Sequence, residues 1–237
     1  MLDKIKSDLK KLAKKEKIPI YQNFFKTSHG QYGEGDIFIG VSVPNTRKVA
    51  KKYQNVSLNV IEKLLTSKIH EERLCAFEIL CFKYEKSIDE EKREIYNFCL
   101  ENRKGMNNWD LVDLTAPYII GDFLSNKNKE REILYKLAKS NNLWDKRISI
   151  ISTAAFIKNN QFQDTIKISE ILLKDKHDLI QKAVGWMLRE VGKRDKKTLL
   201  DFLNKHYRKM PRTMLRYSIE KFPEPERKKY LKLKIEI

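Results

Sequence analysis

From Glu71 to Lys86 the chain reads EERLCAFEILCFKYEK. Leu74, Phe77, Cys81 and Tyr84 recur at three- and four-residue steps, and Cys75, Ile79 and Phe82 form a second stripe. This spacing predicts a helix that is apolar on two sides and wetted only along a narrow third. Such a helix needs neighbours on both sides. Later segments repeat the plan, with predicted helices from Leu143 to Lys158, Phe162 to Lys174, Asp178 to Gly192, Asp195 to His206 and Pro211 to Phe222. Their ends are punctuated as helix ends should be. Asn107 and Asn108 precede Trp109, Asn141 and Asn142 precede Leu143, Pro44 opens a helix in its first turn, and Gly192 reads as a C-terminal stop. With 8 Gly and 6 Pro in 237 residues, the expected fold is all-α. Residues 1–237 read as a single domain whose helix pairs, at roughly 35 to 45 residues, match HEAT-like helical repeats. Such an array is a curved α-solenoid, here expected to carry a concave basic face.

Charge sets the class of partner. Against 32 Asp and Glu the chain has 49 Lys and Arg, a formal net charge of +17, which steers polyanions and gains affinity through counterion release. The stretch from Gly192 to Ile237 alone holds 15 Lys and Arg against 6 Asp and Glu, as the edge of a nucleic-acid track or as a solvated cap. Cys75, Cys81 and Cys99 form neither a CxxC pair nor an even set, and the chain opens without an apolar signal run, so the expectation is a cytoplasmic protein with reduced thiols. No stretch approaches eighteen apolar residues, which excludes a membrane-spanning helix.

One region breaks the helical pattern. Between Thr27 and Val43, Gly30, Gly33, Gly35 and Gly40 cluster with aromatic residues. No strand precedes them and no Gly-Lys-Ser/Thr follows, so the segment reads as a connecting loop closing one side of a cleft and not as a phosphate cradle. His29, His70, His177 and His206 are dispersed without HExxH or Cys/His spacing, so neither a metal nor any other cofactor is expected. No GxSxG elbow motivates a nucleophile triad.

Chemistry concentrates around the tryptophans. In NNWDLVDL, Trp109 and Asp113 stand four residues apart and share one helix face. A carboxylate repels phosphate, so on a surface built to attract polyanions it points to chemistry and not to grip. In LWDKRI, Arg147 lies one turn beyond Trp144, and in AVGWMLRE, Gly185 lets something approach the backbone beside Trp186. Arginine beside an aromatic plane suits a phosphate next to a sugar or base. Each feature has a plainer reading as core tryptophan, helix cap or solvated charge.

The chain resembles the AlkD-like DNA alkylation repair glycosylases, all-helical proteins of HEAT-like repeats. The residues that carry the resemblance are GEGDIFIGVSVPNTRKVAKKY from Gly33, NNWDLVDLTAP from Asn107, LWDKRISIISTAAFIK from Leu143, QKAVGWMLREVGK from Gln181 and MPRTMLRYSIEKFP from Met210. The likeness spans nearly the whole chain and implies catalytic residues at Asp113, Trp109 and Trp186. It implies DNA-binding residues at Arg147 and at an N-terminal aromatic, Phe24 or Phe25. The acidic position, lost in some relatives that are poor glycosylases, is kept here. The implied activity is a monofunctional DNA-alkylpurine glycosylase acting as a monomer on double-stranded DNA with alkylated bases, without metal or membrane. A non-catalytic HEAT-repeat protein binding distorted or branched DNA through its backbone is the alternative, and a helical adaptor for an acidic protein is a third reading.

Overall fold

The computed structural model describes residues 1–232, so positions 233–237 of the basic C-terminal stretch lie outside the described residues. The chain divides into two compact units, Met1–Thr115 and Ala116–Ile237. In the first unit the helices are α1 (Leu2–Lys11), α2 (Ile18–Phe24), α3 (Val43–Lys52), α4 (Leu58–Leu65), α5 (His70–Lys86), α6 (Asp89–Glu101) and α7 (Trp109–Thr115). The second opens with a π-helical turn, Ala116–Gly121, and continues through α8 (Asp122–Ser125), α9 (Glu132–Ala138), α10 (Leu143–Lys158), α11 (Gln163–Ile171), α12 (Asp178–Arg194), α13 (Lys196–His206), α14 (Arg212–Ser218) and α15 (Glu224–Lys232). The fold is all-α. Among the described residues the only β-type pairing is an isolated bridge between Ile37 and Ile69, and no helix is long and apolar enough to cross a membrane.

The first unit is organised on α5, which packs against α3, α4 and α7, as a helix apolar on two sides requires. Leu74, Cys75, Ala76, Phe77, Ile79 and Leu80 are all buried, and burying each large apolar side chain contributes about 1.5–3 kcal/mol before chain entropy is set against it. The burial extends beyond the expected stripes. His70, Glu71, Glu72 and Arg73 in the first turn are buried as well, which is tolerable because each of these side chains has a partner of opposite charge or a backbone hydrogen bond. Glu71 accepts from the backbone N–H groups of Ile39 (3.1 Å), Gly40 (2.8 Å) and Val41 (3.2 Å), while Glu72 pairs with Lys6 at 2.9 Å. The glycine-rich segment is thus fastened to the start of α5.

In the second unit α10 and α12 form the centre, with α9 against α10 and α14 against α12. The expected span of α10 is observed, and its N-cap works as the sequence predicts: Asn142 Oδ1 accepts from the N–H groups of Trp144 (2.7 Å) and Asp145 (3.2 Å). Gly192 does not stop α12, which runs on to Arg194. A Cβ there would run into the side chain of Leu199, so the glycine serves the close approach of α13. The stop falls at Asp195, whose carboxylate caps α13 by accepting from Thr198 N at 3.2 Å.

Gly185 has a similar explanation. What approaches the backbone beside Trp186 is α14, since a Cβ at 185 would lie 2.5 Å from Tyr217 Cβ and 2.6 Å from the Met214 carbonyl oxygen. Neither neighbour is the loose end of a side chain. Gly185→Ala should therefore force α12 and α14 apart and destabilise the protein by about 1–3 kcal/mol, despite the better helix propensity of alanine. Chemical unfolding measures this, and a variant as stable as the parent would mean that the α12–α14 contact can relax freely.

Candidate functional site

Helix α7 presents the expected pair. Asn108 Oδ1 accepts from Trp109 N at 2.9 Å and caps the helix, and Asp113 lies one turn further along, half-buried like Trp109. Both N-terminal phenylalanines reach this tryptophan. Phe25 stacks on Trp109 with ring centroids 5.4 Å apart and planes 25° from parallel, whereas Phe24 meets it edge-on at 5.5 Å and 72°. Their surroundings differ. Phe25 is buried and also stacks on Phe38 at 5.1 Å, while Phe24 is 58% exposed. Of the two candidates, Phe24 is the ring available to a ligand and Phe25 its support.

Behind these rings lies a buried set of charges that sequence reasoning missed. His70 Nδ1 is 3.1 Å from Asp36 Oδ2, and its Nε2 is 2.8 Å from Asp110 Oδ2. Asp36 accepts further hydrogen bonds from Arg73 Nη2 (2.6 Å), Asn107 Nδ2 (2.9 Å) and Asn108 Nδ2 (3.4 Å). Burial alone would push the His70 pKa down, but the Asp110 and Asp36 carboxylates outweigh it and raise the value to about 9. Burial works in the opposite sense on Asp36, and His70, Arg73 and Asn107 still hold its carboxyl below the usual range. Two carboxylates are thus balanced by an imidazolium and a guanidinium. The signal in the sequence was faint: four polar residues, HEER, directly before the most apolar helix, and an aspartate just ahead of IFIG in the glycine-rich loop.

In the second unit, Arg147 is buried and its Nη1 donates to the Leu179 carbonyl at 2.7 Å, fixing the side chain of α10 against the first turn of α12. Lys146 beside it pairs with Asp175 at 2.8 Å. Trp186 is half-buried, and with Ala154, Ile157, Lys158, Glu190 and Arg194 it lines a shallow groove. Part of the basic C-terminal stretch is engaged in surface ion pairs, such as Lys196 with Glu226 at 2.8 Å and Lys205 with Glu170 at 2.9 Å. Pairs of that kind add about 0–1 kcal/mol each.

The three thiols belong to the packing, and Cys81 Sγ donates to the Leu114 carbonyl of α7 at 3.8 Å. Cys75 and Cys99 are buried and Cys81 is half-buried. Burial raises all three pKa values, that of Cys81 to about 12.

Residues 5–222 match the model of a family described as DNA alkylation repair enzyme. Among solved structures, a predicted DNA alkylation repair enzyme from Enterococcus faecalis is similar in fold, with a TM-score of 0.70 at 15% sequence identity over 90% of this chain and 97% of that one. No curated protein matches.

Proposed function

The chain belongs to the DNA alkylation repair enzyme family, and from that premise we propose that it is a monofunctional DNA glycosylase. Its substrates are positively charged alkylated purines, 3-methyladenine and 7-methylguanine, in duplex DNA. The observation that carries this reading is the placing of Trp109 and Asp113 one turn apart on α7, with Phe24 and Phe25 packed on the tryptophan. Aromatic faces beside a carboxylate suit a cationic sugar better than they suit a phosphate.

The chemistry asks little of the protein. A purine alkylated at N3 or N7 is a cation and leaves without being protonated, so no general acid is required. Positive charge then develops on the deoxyribose, where an ionised carboxylate lowers the barrier. At an effective dielectric of about 20 and a separation of about 4 Å, the attraction is on the order of 4 kcal/mol, roughly a thousandfold in rate. That is enough for a cationic lesion and too little for a neutral base. In this reading Asp113 stabilises the oxocarbenium-like sugar and orients the attacking water. Trp109 and Trp186 each offer a face to sugar and backbone, Phe24 adds an exposed ring, and Arg147 holds a phosphate.

Free methylated base released from methylated duplex DNA without heating is the result expected of the purified protein. Binding without release would favour the alternative, a scaffold for distorted DNA. Arg147→Ala should weaken binding and flatten the plot of log affinity against log salt by about one unit. An unchanged slope, with folding intact by circular dichroism, would mean that Arg147 touches no phosphate.

A further inference from the structure

His70 reaches Trp109 through its neighbours by two routes. Along its edge, Nε2 bonds to Asp110, the residue that follows Trp109, and Nδ1 bonds to Asp36, which also receives the side-chain amides of Asn107 and Asn108. Residues on either side of Trp109 are therefore fastened to a single imidazole–carboxylate pair. Across its faces, the His70 ring lies 4.6 Å from Phe38 and 4.9 Å from Phe25, and Phe25 in turn stacks on Trp109. Backbone and ring contacts converge on the same tryptophan.

We propose that His70 is a positioning residue: carrying protons on both nitrogens, it sets the rotation of the first turn of α7 and with it the attitude of Trp109 and the direction in which Asp113 leaves the helix. The catalytic part of this inference rests on the glycosylase reading. Its chemistry is that of a donor count. Imidazolium has two N–H donors for two carboxylates, whereas neutral imidazole has one and would turn a lone pair towards either Asp36 or Asp110. The charged groups around the ring are Asp36 from the loop, Asp110 from α7, and Arg73 from α5, whose Nη2 is 2.6 Å from Asp36 Oδ1. Glu71, next to His70 on α5, is committed to the backbone of residues 39–41. With the histidine holding its second proton up to about 9, the fastening is complete at neutral pH and is released on the alkaline side.

Two measurements test this separately. In a Trp144→Phe/Trp186→Phe protein, Trp109 is the remaining tryptophan, and its emission and anisotropy are followed from about pH 6 to about pH 10. A transition centred near 9 is expected. It should vanish on adding His70→Phe, which keeps a flat ring beside Phe38 and Phe25 but removes both N–H groups. Asp110→Asn, a milder change, should move the midpoint lower by about one unit, because one of the two charges that hold the proton is gone. In parallel, single-turnover release of 7-methylguanine should show the same alkaline midpoint in the wild type. It should fall roughly tenfold to a hundredfold in His70→Phe at neutral pH, with DNA affinity little changed.

Trp109 fluorescence indifferent to both pH and Asp110→Asn overturns the proposal, even should His70→Phe fail to fold. Excision by a folded His70→Phe at the wild-type rate overturns its catalytic part. If the wild type releases no base at all while the fluorescence follows His70, the glycosylase reading is lost and the control of Trp109 by His70 stands.

Discussion

Asp113→Asn should reduce single-turnover release of 7-methylguanine by at least about a hundredfold and by as much as about a thousandfold, the range expected from losing one carboxylate beside a developing cation. The substitution is nearly isosteric, so the packing of α7 and the half-buried position of the side chain are preserved. The charge is removed, and one acceptor oxygen becomes a donor amide. Affinity for methylated or unmodified duplex should change by less than about threefold, since uniform binding and transition-state stabilisation are separate quantities. Quenched-flow or manual single-turnover assays on methylated DNA, set beside gel-shift titrations, distinguish the two. A variant that excises at nearly the parental rate would remove Asp113 from the chemistry and shift weight to the non-catalytic reading.

The largest effect on stability should come from Asp36→Ala. This carboxylate holds His70, Arg73, Asn107 and Asn108 together at a site that is 6% exposed. Removing it strands a guanidinium that cannot deprotonate, and stranding one partner of a buried ion pair costs about 3–5 kcal/mol. A fall in Tm of roughly 10–20 °C follows for a unit of this size, whereas Asp36→Asn, which keeps an acceptor, should lose less. Differential scanning calorimetry decides, and equal losses for the two variants would show that charge at this position is immaterial. The same cluster fixes the sign of a pH effect. The folded-state pKa of His70 is raised from 6.5 to about 9, so its pairing contributes fully below about pH 6.5 and is lost as the pH climbs through about 9.

How much of this could be read from the chain alone depended on the range of the interactions. Local chemistry was legible: asparagine at 108 and 142 capping α7 and α10, and the apolar steps of α5 placing it between neighbours. Gly192 misled because a glycine in a helix signals a stop or a close neighbour equally well, and only the packing of Leu199 decides. Phe24 and Phe25 could not be ranked, since adjacent residues at a helix end differ only in what packs against them. The buried charge cluster was out of reach for a plainer reason: its bonds join residues 34 to 72 positions apart, and no periodicity records them. The glycine-rich segment, expected to be a connecting loop, delivers its aspartate into the core.

The sulfur atoms carry a last consequence. Thiolates are the softest nucleophiles a protein can offer, and the agents that methylate DNA attack them readily. With its pKa raised to about 12 by burial, Cys81 is held as the neutral thiol at neutral pH, and Cys75 and Cys99 are pushed higher still and shielded by packing. A protein of the alkylation repair family thus keeps its softest sulfur nucleophiles protonated, the form in which an electrophile finds them least reactive.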